Sequence, residues 1–367
     1  MGADVLVVGG GPAGLATAIA ASLRGLRVKV VDSRRPPIDK TCGEGLLPEA
    51  VAALRRLGIE LNSRLAFPFK GIRFTDDKSS ACSSLLEGTA FGMRRTALNQ
   101  LLIERAAEVG VTLLWGTRVS GFDSKSVSID GVRHACRWLV GADGRDSTVR
   151  KWARLDTRGA RRLRFGFRRH YSITPWTDVV EVYWGERCQM FATPTGAEEV
   201  CVSLLTSDPQ MRIERALPEF PGLARRLQGA PVLTSEQGAV TALERTRGVV
   251  RGNIALVGDA SGSVDGIAGL GLSLAFQQAI CLGEALARED LNYYEAAHGR
   301  ICKLPARLNR LLLLMNESAW IRRKALRLFS NSPRLFTGLM SLHTGQDGKK
   351  EIKATELLGL GWRVLWA

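Results

Sequence analysis

The chain has 367 residues, 45% of them hydrophobic and 24% charged, and 51 Lys and Arg against 36 Asp and Glu give a formal net charge of +15. That composition is ordinary for a globular protein and excludes a disordered chain, a collagen-like repeat and a disulfide-dense secreted module. Seven cysteines without C-x-x-C pairing or regular spacing fit reduced thiols in a cytoplasm and argue against a metal site.

The positive charge is local. Residues 145–169 carry ten basic and two acidic side chains, and residues 300–336 carry nine and one, so each segment is net +8 and the remainder is nearly neutral. Such clusters suggest an anionic partner: nicotinamide phosphates, an acidic substrate or a lipid surface. No recognised nucleic-acid module accompanies them, so nucleic acid is not expected as a partner.

Val5 to Leu23 is uncharged and long enough to imitate a membrane span or a signal peptide. Asp4 precedes it, however, and Gly9, Gly10, Gly11 and Pro12 interrupt it. Val5–Val8 therefore reads as a buried parallel strand and Ala13–Leu23 as a helix. The turn between them is Gly9-x-Gly11-x-x-Gly14, and the next strand, Val28–Val31, ends in Asp32. Gly9 makes the tight turn, Gly11 admits a pyrophosphate, Gly14 lets helix pack on sheet, and Asp32 can accept ribose hydroxyls. The spacing predicts a dinucleotide site, and the acid argues for FAD or NAD over NADP. Two more strand-like runs end in turns with an Asp: Trp138–Val140 before Gly141-Ala142-Asp143-Gly144, and Ile254–Val257 before Gly258-Asp259-Ala260. No second Gly-rich fingerprint follows, so a separate nicotinamide domain is not expected.

With Gly9-x-Gly11-x-x-Gly14, Asp32, the G-A-D-G-x-x-S-x-x-R run from Gly141 to Arg150 and the Gly258-Asp259-Ala260 run, the chain resembles FAD-dependent oxidoreductases of the p-hydroxybenzoate hydroxylase-like superfamily. Arg95-Thr96-Ala97-Leu98 resembles that superfamily's R-x-x-L helix start. Lys40-x-Cys42-Gly43-Glu44-Gly45 resembles the subgroup of geranylgeranyl reductases and flavin-dependent halogenases. The resemblance implies an α/β fold, a Rossmann-like FAD-binding domain with an inserted antiparallel β-sheet substrate domain and C-terminal helices. The boundaries expected are 1–60, 92–155 and 245–295 for FAD, 61–91 and 156–244 for the sheet, and 296–367 for the helices. It further implies that Gly9, Gly11, Ala13, Gly14 and Asp32 hold the adenosine diphosphate half of FAD, with Arg95 near the pyrophosphate and Val119 near the adenine. Cys42, Gly43 and Asp143 would border the flavin cleft, Asp259 would meet the ribityl chain, and Gly269, Gly271 and Leu272 the pyrimidine edge. The superfamily often has proline where Gly266 stands.

In the inserted sheet, Arg168, Arg169, His170, Tyr171, Trp176, Tyr183 and Trp184 mix cations and aromatics that could line a pocket, with core packing the commoner fate of each. No motif fixes a catalytic residue; His170 and Tyr183 are the weak candidates. From Ala296 the chain is helical with basic residues between apolar ones, fit to cap the FAD domain or to lie peripherally on an anionic membrane. Pro333 and Gly338 suggest several short helices. The resemblance implies a monooxygenase that hydroxylates or epoxidises a small organic substrate through a C4a-hydroperoxyflavin, with NAD(P)H as transient donor. The alternative is a geranylgeranyl reductase-like reduction of alkenes. Halogenation is a third, weakened by the absence of W-x-W-x-I-P.

Overall fold

The structure is a computed structural model that describes residues 3–76, 79–84, 88–122, 126–157 and 163–343. Arg158, Arg161 and Arg162 of the first basic cluster, and the apolar end Leu357 to Trp366, lie outside the described residues.

The uncharged N-terminal stretch divides where the glycines demand. Ala3–Val8 is a strand and Pro12–Ser22 a helix almost wholly buried, which explains its lack of charge. The strand sits mid-sheet in an eight-stranded sheet. Val28–Asp32 pairs with it in parallel on one side and Val132–Gly141 in parallel on the other. Ile254–Leu256 and Thr112–Trp115 continue the parallel core outward. Strand order reverses at Ala3–Val8, and the crevice beyond the carboxyl ends of such strands is where open α/β sheets bind ligands. Val8 is in register with Gly141, so the Gly9 and Asp143 turns emerge side by side.

The inserted segments form a seven-stranded sheet in the order Gln237–Thr241, Arg164–Ser172, Glu199–Thr206, Cys188–Gly196, Val179–Trp184, Gly71–Thr75, Ser80–Ser84. It departs from the antiparallel expectation at one junction: Val179–Trp184 and Gly71–Thr75 pair in parallel. These two strands come from different insertions, so no hairpin forces them to run in opposite directions.

Both faces of this sheet are covered. Phe74, Val182, Trp184 and Leu205 pack with Leu308, Leu312, Met315, Leu326 and Phe329 of the C-terminal helices. The other face packs Phe167, Met190, Val202 and Leu204 against Ile213, Phe220 and Leu223. The helices are Leu291–Glu317, Ala319–Asn331 and Pro333–His343, broken at Ser318 and Ser332 and continuous through Pro305. Only the start of the first one, at Leu291 and Tyr294, joins the core of the eight-stranded sheet. The helical region thus caps mainly the inserted sheet, because that is where the unpartnered apolar strand face lies.

Candidate functional site

One cavity of about 980 Å³ occupies the crevice and extends under the inserted sheet. Its dinucleotide end is shaped by close backbone approaches. Gly9 has φ +113°, and a Cβ there would sit 2.3 Å from the Ala142 carbonyl oxygen. A Cβ on Gly14 would lie 1.9 Å from the Gly9 carbonyl, so Gly14 is a packing residue and does not border the cavity. Gly11 is different: a Cβ there would meet no protein atom within 4 Å, leaving open space beside the first turn of the Pro12–Ser22 helix. That helix has no side-chain cap, so its first N–H groups remain available to an anion.

Gly9, Gly11, Ala13, Asp32, Cys42, Gly43, Arg95, Val119, Asp143, Asp259, Gly269, Gly271 and Leu272 all border this cavity. Asp32 accepts from the Gly10 N–H at 2.8 Å and the Arg34 N–H at 2.8 Å, which pins the acid at the rim. Asp143 accepts from Ser147 Oγ at 2.5 Å and the Thr148 N–H at 2.7 Å. Arg150, 2% exposed, donates to the carbonyls of Arg145 and Ala260 and pairs with Asp156 at 2.7 Å. It thereby ties the Asp143 turn to the Asp259 turn. The space beside Gly11, the uncapped helix start and the acid at the strand end fit a dinucleotide such as FAD. Gly271 begins a second helix without a side-chain cap, Gly271–Ala287, facing the same cavity.

Two residues of the Lys40–Gly45 loop, Lys40 and Glu44, join distant elements at the cavity. Lys40 Nζ reaches Asp259 Oδ2 at 2.5 Å. Glu44, 2% exposed, has both carboxylate oxygens engaged: Oε1 accepts from Arg168 Nη1 at 2.8 Å and the Arg95 N–H at 2.9 Å, and Oε2 lies 2.7 Å from His170 Nε2. Its φ is +60°, strained for a side chain of this kind, and the network holds it there. Arg168 also grips Asp39 at 2.8 Å, so Arg168 and His170 clamp this loop to the sheet. Burial pushes the Asp39 carboxyl up, but the Arg168 guanidinium outweighs it and holds the group below its usual range. The signal for this clamp was Glu44 flanked by two glycines.

The aromatic and cationic candidates of the sheet do not line the cavity: Arg168, Arg169, His170, Tyr171, Trp176, Tyr183 and Trp184 are all absent from its wall. His170 is the loop clamp just described. Tyr183 donates to Glu181 at 2.5 Å on the opposite side of its strand from Val180 and Val182, which do border the cavity. Burial and the Glu181 carboxylate hold its phenol well above the usual value. The first basic cluster also turns inward: Arg164 pairs with Asp265 at 2.8 Å while 3% exposed, and Arg169 pairs with Glu214 at 2.7 Å. Acids distant in sequence pair with Arg164, Arg168 and Arg169, while Lys151 and Arg154 of the same cluster stay exposed. Glu44, His170 and Cys201 bring ligand-type atoms within 4.8 Å of one another, but Arg168 and the Arg95 N–H already occupy Glu44.

A second cavity of about 310 Å³ lies behind the Gly258–Ser263 turn. His298 Nε2 stands 3.0 Å from Ser261 Oγ there, and burial pushes its pKa down to about 4.

Residues 2–291 match a protein family described as an FAD binding domain. A menaquinone reductase of Mycolicibacterium smegmatis is 30% identical, covering 80% of this chain and 79% of that protein. A 6-methylpretetramide 4-monooxygenase of Streptomyces rimosus is 27% identical, covering 90% and 89%. In structure, a p-nitrophenol 4-monooxygenase from Pseudomonas putida superposes with a TM-score of 0.80 at 18% identity, covering 94% of this chain and 97% of that one, which speaks to the fold. The match runs through the Gly9, Asp143 and Asp259 turns that enclose the cavity, and the chain belongs to the FAD-binding domain family, as a flavin-dependent oxidoreductase.

Proposed function

We propose that this chain is an FAD-dependent monooxygenase that inserts oxygen into an apolar organic substrate, with NAD(P)H as transient electron donor. One observation carries the reading. The inserted sheet and C-terminal helices contribute an arm of the cavity walled by Phe74, Val180, Val182, Phe191, Leu308, Leu311, Leu312, Leu339 and Met340. The polar residues those elements add are Thr193, Ser203 and Thr241, none of them titratable in the physiological range. Transfer of an electrophilic oxygen needs a dry, shaped pocket and no protein acid at the substrate. Hydride delivery to an alkene must also place a proton, and Glu44 and Asp265, the acids near the arm, are bound to Arg168 and Arg164.

In this reading Gly9, Gly11, Ala13 and the uncapped helix start hold the FAD pyrophosphate, with Arg95 adding positive charge. Asp32 takes the ribose, Val119 the adenine through its backbone, and Asp259 the ribityl hydroxyls. The Gly271–Ala287 helix start, with Gly269, Gly271 and Leu272, faces the pyrimidine edge, where its N–H groups stabilise negative charge. Bound FAD supplies the two-electron redox chemistry and the activation of oxygen.

The relatedness to a menaquinone reductase supports a second reading, reduction of the substrate without insertion of oxygen, together with the Cys42 thiol that borders the cavity. Incubation with NAD(P)H, ¹⁸O₂ and a panel of apolar aromatic and alkenyl compounds separates the two. Label entering the product supports monooxygenation; a reduced alkene formed anaerobically overturns it.

A further inference from the structure

The three C-terminal helices bury one side against the inserted sheet, through Leu308, Leu312, Met315, Leu326 and Phe329, and leave the other to solvent. The outward side of Leu291–Glu317 carries exposed Lys303, Arg307 and Arg310, with Leu314 50% exposed. Across the Ser318 break, Ala319–Asn331 turns out Trp320, 46% exposed, with Arg323 and Arg327. Lys324 Nζ lies 4.7 Å over the Trp320 ring. Glu317 is the one acid between residues 300 and 336. Lys303, Arg307, Arg310, Arg323 and Arg327 form no ion pair among the described residues.

This surface is unlike the Arg164–Arg168 part of the first basic cluster, where both arginines meet buried acids. We propose that the outer face of these helices docks on an anionic lipid bilayer. Cations spaced along a helix neutralise lipid phosphates, while a leucine and a tryptophan among them enter the headgroup boundary, where an indole ring is well accommodated. A polyanion in water would satisfy the cations and leave Leu314 and Trp320 wet. No described helix is long and apolar enough to cross a membrane, so the contact is peripheral. The inner faces of the same helices supply Leu308, Leu311, Leu312 and Met340 to the cavity wall, within about one helix diameter (~10 Å) of the docked face. A bilayer-dissolved apolar molecule therefore has a short route to the cavity. The docking itself does not depend on which flavin reaction occurs.

The test is co-sedimentation of the full-length, flavin-loaded protein with vesicles of phosphatidylcholine alone or mixed with phosphatidylglycerol. Binding to the anionic vesicles that weakens with salt is expected. Arg323→Glu with Arg327→Glu should weaken it at least about tenfold. Trp320→Ala with Leu314→Ser should weaken it at all salt concentrations, and both variants should retain the flavin spectrum. No sedimentation, equal binding to neutral vesicles, indifference to both pairs of substitutions, or equally tight binding of duplex DNA overturns the proposal. So does a vesicle-free dimer that the same substitutions dissociate.

Discussion

Lys40 Nζ stands 2.5 Å from Asp259 Oδ2, joining two segments 219 residues apart across the mouth of the cavity. The Lys40 charge holds the Asp259 carboxyl below its usual range against the opposing effect of burial. Both side chains are over a third exposed, at 45% and 38%, so the pair adds little to stability. Its consequence is positional: an ionised acceptor is kept facing the cavity.

Replacing that acceptor should affect the cofactor more than the fold. Asp259→Ala is expected to weaken FAD binding roughly 10- to 100-fold, the worth of a hydrogen bond to a charged group. Fluorescence titration of the apoprotein measures this. Unchanged affinity would remove Asp259 from the cofactor site.

Gly11 and Gly14 should part company. Gly14→Ala drives a Cβ against the Gly9 carbonyl and should cost about 1–3 kcal/mol of stability or more. Gly11→Ala meets no protein atom, so its unfolding free energy in urea should stay within about 1 kcal/mol of the parent while FAD affinity collapses. Equal loss of stability in both would contradict the reading of Gly11 as a ligand-facing position.

Glu44 and Tyr183 offer a second contrast. Glu44→Gln leaves buried Arg168 without one of its two carboxylate partners and should cost about 3 kcal/mol or more in denaturant unfolding. Tyr183→Phe removes one hydrogen bond to the Glu181 carboxylate, worth about 1.5–3 kcal/mol, and should leave turnover unchanged. A large fall in kcat with normal stability would restore Tyr183 as a catalytic candidate.

His298 sets a pH dependence. Its folded pKa is about 4 against 6.5 for the free side chain, because burial disfavours the cation. The unfolded chain therefore binds the extra proton first as pH falls. Stability is unaffected above about pH 6.5, declines between 6.5 and 4, and stops declining below 4. The total loss is on the order of 3 kcal/mol. Comparing denaturant midpoints across that range for the parent and for His298→Gln should show this component of the slope missing in the variant; identical slopes would mean that His298 is protonated in the folded state.

Several of these sites were legible in the chain itself. The Gly9–Gly14 turn and Asp32 could be read because a strand, a tight turn and a helix start need glycine at Gly9, where φ is positive, and at Gly14, where helix meets backbone, while Gly11 leaves room for a ligand. The C-terminal helices announced themselves through helical spacing of Leu308, Leu312 and Met315. What they would cover did not, since spacing describes a face and not its partner.

The tertiary structure decided the rest through pairings between distant residues. Both faces of the inserted sheet are buried, so its strands lack the apolar–polar alternation that would tell which side chains face the cavity. Register and strand parity alone put Val180 and Val182 on the cavity wall and Tyr183 away from it. Sequence by itself determined that the chain carries 15 excess positive charges and where they cluster. Only folding brought Asp265 to Arg164 and Glu44 to Arg168, drawing these charges of the first cluster inward, while Lys303, Arg307, Arg310, Arg323 and Arg327 of the second stayed at the surface and Arg322 turned in to the Met315 carbonyl.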